Sequence, residues 1–104
     1  MPTVYVTAPH DAAETLAREI VERRLAACVN RVDCTSTYRW DGEVVTEPET
    51  ILLAKTTAAG YDDLVTFIER RHPYDVPCIE RFDEAQVTPA FAAWIRDSVA
   101  GDPA

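Results

Sequence analysis

One hundred and four residues, 47% of them apolar, are enough for a single domain over 1–104 with one core. Eighteen acidic against ten basic side chains leave a net charge of −8, which repels a phosphate backbone and sets nucleic acid aside as a partner. The three glycines, Gly42, Gly60 and Gly101, are too scattered for a P-loop or a G-x-G-x-x-G turn, which excludes nucleotide chemistry by those routes.

No run approaches the ~20 apolar residues of a membrane span, and Thr3-Val4-Tyr5-Val6-Thr7 follows the start without a signal-peptide pattern. Cys28, Cys34 and Cys78 are odd in number and form no C-x-x-C pair, which fits reduced thiols and a cytoplasmic location. Lys55 is the lone lysine beside nine arginines. A high-salt habitat and the arginine-rich codon usage of a GC-rich genome account equally for this acidic, lysine-poor surface.

Thr3–Ala8 alternates and predicts a strand with Val4, Val6 and Ala8 on one face. Pro9 ends it. Asp11 and Glu14 resemble a capping box for a helix that carries Leu16, Ala17, Ile20, Val21 and Leu25 at helical spacing and ends near Ala26. Two β segments follow, Cys28–Trp40 and Glu43–Thr57, joined by Asp41-Gly42, a strong hairpin signal. Pro48 cannot donate to a ladder, so a bulge or break is expected near Glu47-Pro48, with Cys34 at a matching irregularity. A second helix opens near Ala59 or Gly60, presents Tyr61, Leu64, Val65 and Ile68, and stops at Pro73. Val76–Ala85 reads as a fourth strand. Thr88-Pro89 then starts a last helix with Phe91, Trp94, Ile95 and Val99 on one side, ending at Gly101.

This order predicts an α+β, ferredoxin-like β-α-β-β-α-β sandwich with an extra C-terminal helix. The two central β segments are long, about 43 Å at ~3.3 Å per residue, whereas a helix of ~15 residues spans only ~22 Å. The tip of this long β2-β3 hairpin, roughly Ser36 to Thr46, must therefore project. It carries Tyr38, Trp40, Val44 and Val45, and strand pairing in an oligomer would cover them.

Five blocks in order, Tyr5-Val6-Thr7-Ala8-Pro9, Arg24 to Asn30, Ser36 to Gly42, Lys55-Thr56 and His72 to Pro77, resemble the CutA divalent-cation-tolerance family over residues 3 to 98. The resemblance implies a homotrimer with hairpins paired between subunits, cytoplasmic location, a link to copper and other divalent metals, and no enzymatic reaction. The family trimer is also similar to the PII signalling proteins, which bind small effectors between subunits. Copper-binding members use a cysteine in the first strand and one or two histidines at the end of the second helix. The matching positions here are Val6, Arg71 and His72.

Imidazole and thiol ligands suit copper, which makes His72, Cys28 and Cys78 the candidate metal ligands. The alternative for His72 is to cap the helix and hydrogen-bond a neighbour; for Cys28 it is a small buried thiol. Cys28 and Cys78 come close only if the second and fourth strands approach. Lys55 needs an anionic partner, with Asp75, Glu80 and Glu84 as candidates. Tyr38 and Trp40 fit a subunit interface. If Tyr38, Trp40, Lys55, His72, Tyr74 and Glu80 converge, they form a cleft for a small anion or a metal chelate. His10, a candidate base in the first turn, reads as a solvated residue at the helix start.

Enzyme readings find no support. The first turn lacks the phosphate-cradling glycine of an acylphosphatase, no G-x-S-x-G elbow is present, and the aromatics and basic face of an RNA-recognition module are missing. The expectation is a cytoplasmic homotrimer that binds copper or another divalent cation weakly. The alternative is a PII-like effector sensor or protein-interaction hub, using the inter-subunit cleft for a small anion or a protein partner.

Overall fold

The computed structural model describes residues 1–100. Its elements are β1 (Pro2–Ala8), α1 (His10–Glu22), β2 (Cys28–Trp40), β3 (Glu43–Lys55), α2 (Tyr61–Arg71), β4 (Ile79–Asp83) and α3 (Pro89–Ser98). The four strands form one antiparallel sheet in the order β2-β3-β1-β4, the α+β arrangement that the sequence predicts. Gly101, where the sequence ends the last helix, lies outside the described residues.

Alternation along the central strands turns Val4, Val6, Ala8, Leu52 and Ala54 toward the helices. Ala13, Leu16, Ala17 and Ile20 of α1 and Leu64, Phe67 and Ile68 of α2 close over them as one core. A smaller cluster of Ala27, Ile95 and Val99 seats α3. The apolar stripes differ from expectation at their margins. Val21 is 41% exposed, Leu25 lies beyond the end of α1, and Phe91 and Trp94 stack on each other at the surface.

The hairpin turn is as the sequence predicts, with positive φ at both Asp41 and Gly42. The register runs without a break from Trp40↔Glu43 to Cys28↔Lys55. The break expected at Pro48 is absent, and Cys34 pairs regularly with Glu49. The reason is position: β1 pairs with β3 only from Lys55 to Thr50, so Pro48 sits on an edge strand, where proline is tolerated. Beyond Thr50 the hairpin is a two-stranded arm, and the molecule measures 48 × 26 × 19 Å.

Other boundaries shift for local reasons. Pro9 is the N-cap of α1 and makes no side-chain cap, so the capping box expected from Asp11 and Glu14 does not form. Helix α1 stops at Glu22 because Arg24 takes φ +59, with Arg24 N–H donating to the Val21 carbonyl and Leu25 N–H to that of Ile20. The fourth strand is shorter than Val76–Ala85, covering only Ile79–Asp83. Thr88 and Pro89 open α3 as expected, although Thr88 makes no side-chain cap.

Two positions hold the ends of the helices in place. The Gly60 N–H donates to Thr57 Oγ1 (2.9 Å), and a Cβ at Gly60 would meet Val99 Cγ1 at 2.9 Å and Thr56 Oγ1 at 3.0 Å. Gly60→Ala should therefore lower stability by ~1–3 kcal/mol in denaturant titration, despite alanine's better helix propensity. Arg24, strained at positive φ, donates from Nε to the Ser98 carbonyl and from a terminal nitrogen to that of Asp97, tying α3 to the end of α1. Arg24→Ala loses both bonds and keeps the strain, whereas Arg24→Gly loses the bonds and relieves it. The glycine variant should unfold at the higher midpoint of the two, and both below the parent.

Candidate functional site

The helices cover one face of the sheet and leave the other open. Register and alternation place Tyr5 and Thr7 of β1, Glu49 and Lys55 of β3, Cys28, Cys34, Tyr38 and Trp40 of β2, and Glu80 and Phe82 of β4 on that open face. Phe82 and Trp40 are 50% and 61% exposed on it. The Tyr5 hydroxyl is pushed up by burial first, then by Cys78, Cys34, Glu80 and Glu49 around it.

Where the arm leaves the sheet, it faces the segment between α2 and β4 across a cleft of about 600 Å³. Tyr38, Trp40, Glu47, Glu49, Tyr74, Asp75 and Cys78 are among its lining residues. The Tyr74 hydroxyl donates to Glu49 Oε2 (3.0 Å), and the Tyr38 hydroxyl to Glu47 Oε2 (3.2 Å). Burial, followed by the bond to Glu49 and its charge, pushes Tyr74 up to about 12, so it remains a donor throughout the physiological range. Burial also raises the Cys78 thiol, which donates to Glu80 Oε1 (3.5 Å); the Glu80 bond and charge raise it further.

Within one chain this lining is acidic. Three carboxylates, Glu47, Glu49 and Asp75, face the cleft, and neither lysine nor arginine lines it. Its field favours a cation. Lys55 lies elsewhere, at the far end of β3 from the cleft, with Nζ 3.4 Å from Thr3 Oγ1. The Thr3 hydroxyl in turn donates to Glu84, which gives the lone lysine its anionic neighbour through one hydroxyl. Glu80 pairs opposite Tyr5, beside the cleft, and joins it through Cys78.

His72 takes the alternative role open to it in the sequence, hydrogen-bonding its neighbours. Only 8% exposed, it donates from Nε2 to the Thr7 carbonyl (2.7 Å), while Nδ1 accepts the Tyr74 N–H (3.1 Å). Both ring nitrogens are spent on holding the loop after α2 against β1, so no lone pair is left for a metal. Arg71, at the other matching helix-end position, bonds Glu19 (2.8 Å) and lies over the Phe67 ring. Cys28 and Cys78 do not approach each other either. They belong to opposite edges of the sheet with β3 and β1 between them, three strand spacings or ~14 Å apart at the least. Burial raises the Cys28 thiol and Lys55 pulls it down. Among the described residues, no three His, Cys, Asp or Glu side chains of one chain converge as a metal site.

The sequence reading misses one cluster. His10 is not simply solvated. Its Nδ1 lies 2.6 Å from Thr50 Oγ1 and 3.5 Å from Asp33 Oδ1, and the Thr50 hydroxyl is 3.2 Å from the same carboxylate oxygen. These residues line a second cleft of about 600 Å³ on the helical side of the arm, beside Asp11, Glu14 and Arg31. The signal for it is the tight Asp41-Gly42 turn. Counting back from that turn in unbroken register sets Asp33 opposite Thr50.

Comparison with known proteins agrees with this architecture. A protein from Thermus thermophilus called divalent-cation tolerance protein CutA is 42% identical over 97 residues, covering 91% of this chain and 94% of its own. The PII-like protein CutA from a Nostoc species, solved in apo form, superposes with a TM-score of 0.92 at 28% identity, covering 95% of this chain and 97% of its own. A protein from Archaeoglobus fulgidus described as a periplasmic divalent cation tolerance protein CutA superposes with a TM-score of 0.89 at 29% identity, covering 94% and 98%. The family model described as CutA1 divalent ion tolerance protein matches residues 2–98, and the chain belongs to that family.

Proposed function

We propose that the chain acts as a cytoplasmic homotrimer in divalent-metal tolerance, holding a soft cation, copper foremost, at the acidic cleft with Cys78 as its thiol ligand and without catalytic turnover. The observation that carries this reading is the lining of the cleft: Cys78 beside Glu49, Glu47 and Asp75, with no basic side chain among them. Thiolate selects copper over harder ions, and the surrounding carboxylates raise the local concentration of any cation. A single chain supplies too few ligands. A second copy docked on the open face would add its own donors and cover Phe82 and the arm, both costly to leave in water. The three cysteines are free, as reduced thiol ligands must be, and among the described residues no helix is long and apolar enough to cross a membrane.

A second reading is favoured by the aromatic part of the same lining. Tyr38, Trp40 and Tyr74 give a cleft of this volume the character of a small-molecule site, which fits a PII-like sensor of a cationic effector or a docking point for a protein partner.

Titration of the reduced protein with Cu(I) should show saturable binding at a fixed ratio per chain. Cys78→Ser should abolish it, and His72→Ala, where it folds, should leave it intact because both His72 nitrogens are already bonded. Binding that survives Cys78→Ser, or that disappears only in folded His72→Ala, would overturn the assignment. The pH dependence has a definite sign. Because the Cys78 thiol is raised, the metal must displace its proton, so apparent affinity should climb by up to about tenfold per pH unit through neutrality and should not level off below the ordinary thiol range. Isothermal titration at several pH values reads this directly.

A further inference from the structure

His10, Asp33 and Thr50 come from three different elements, and nothing above employs them. His10 is the first residue of α1, Asp33 lies midway along β2, and Thr50 sits opposite it on β3 where β1 ends. Their three polar atoms form a triangle with sides of 2.6, 3.2 and 3.5 Å. Two ligands each ~2.1 Å from a metal ion stand ~3.0 Å apart at a right angle and ~3.4 Å apart at the tetrahedral angle. Two of the three sides lie near that range, and the 2.6 Å side, a hydrogen bond, opens by about 0.4 Å to admit an ion.

We propose that His10 Nδ1, Asp33 Oδ1 and Thr50 Oγ1 form a binding site for a borderline divalent cation, of the zinc, cobalt or manganese class, on the opposite side of the sheet from the thiol cleft. The donor set determines the class. One imidazole, one carboxylate and one hydroxyl offer no soft ligand for Cu(I), whereas nitrogen and oxygen together suit borderline ions. Charge agrees. Facing the triangle are Asp11 and Glu14 from α1 and Arg31 and Asp33 from β2, three carboxylates against one guanidinium. The cleft is open, leaving the remaining coordination positions to water.

The site is built rather than incidental. Thr50 is 3% exposed, so its hydroxyl is fixed by the sheet. Without an ion, hydrogen bonds through the Thr50 hydroxyl hold the three side chains together. The proposal does not depend on the copper reading, since it shares no residue with the thiol cleft.

The test uses the full reduced chain titrated with CoCl₂ and followed through the imidazole NMR signals. The chain has two histidines, so His72 serves as an internal control. One equivalent of Co²⁺ per chain should shift and broaden the His10 ring signals strongly and leave those of His72 sharp. Asp33→Asn, whose parent side chain is 85% exposed and therefore safe for the fold, should weaken the effect by more than about tenfold, the least that loss of even an outer-shell partner costs. Thr50→Val should weaken it as well, and Cys78→Ser should leave it unchanged. Equal broadening of both histidines in the Cys78→Ser chain, a His10 response unaltered in Asp33→Asn, or no response to Co²⁺ would each overturn the site. Loss in Cys78→Ser would do so too, by tying the response to the thiol cleft.

Discussion

The unbroken thirteen-residue pairing of β2 with β3 is the constraint from which the rest of the molecule follows. Neither β1 nor the two covering helices is long enough to match it. Half of the hairpin therefore lies over the core, and the other half extends as an arm with which no third strand pairs among the described residues. The arm creates both clefts, one on each side of the sheet where support ends at Thr50. It also creates the open face, because α1 and α2 are spent on a single layer of core. Trp40 and Val44, 61% and 65% exposed at the tip, extend that apolar liability to the end of the arm.

Much of this is legible in the residues. The Asp41-Gly42 turn, the alternation along Thr3–Ala8 and the mismatch between strand and helix lengths together yield the sheet, the layer and the projecting tip. The errors share a physical cause. Pro48 reads as a break only if β3 is taken to have neighbours on both sides, and the strand order removes that premise. Arg24 at positive φ cannot be anticipated from propensity, because its turn depends on the distant α3 carbonyls that its guanidinium reaches.

The site was less legible, for a related reason. Residue type and the family resemblance mark His72 as a ligand, but the carbonyl of Thr7 and the N–H of Tyr74 take both of its nitrogens, and those partners are 65 and two residues away in the chain. Within one chain Lys55 and Trp40 do not share a cleft, because the register places them at opposite ends of the hairpin. The residues that do gather at the cleft, Tyr38, Trp40, Tyr74 and Cys78, include three aromatics that the sequence already groups in a candidate cleft. The carboxylates interleaved with them set the charge of the cleft, above all Glu49, which is 4% exposed and held by Tyr74.

The overall charge of −8 draws cations toward every surface, and this attraction is screened by salt and indifferent to the identity of the ion. Selectivity must come from ligand atoms at short range. Here the two faces of one sheet differ in the way that selectivity requires. The open face offers thiol and carboxylate around Cys78, and the helical face offers imidazole, hydroxyl and carboxylate around Thr50. Because alternation sends successive residues of a strand to opposite faces, Glu49 and Thr50 serve different clefts though they are adjacent in the chain. A one-residue slip in the hairpin would exchange the two sets, so the same register that holds the arm together also keeps the thiol-bearing cleft apart from the imidazole-bearing one.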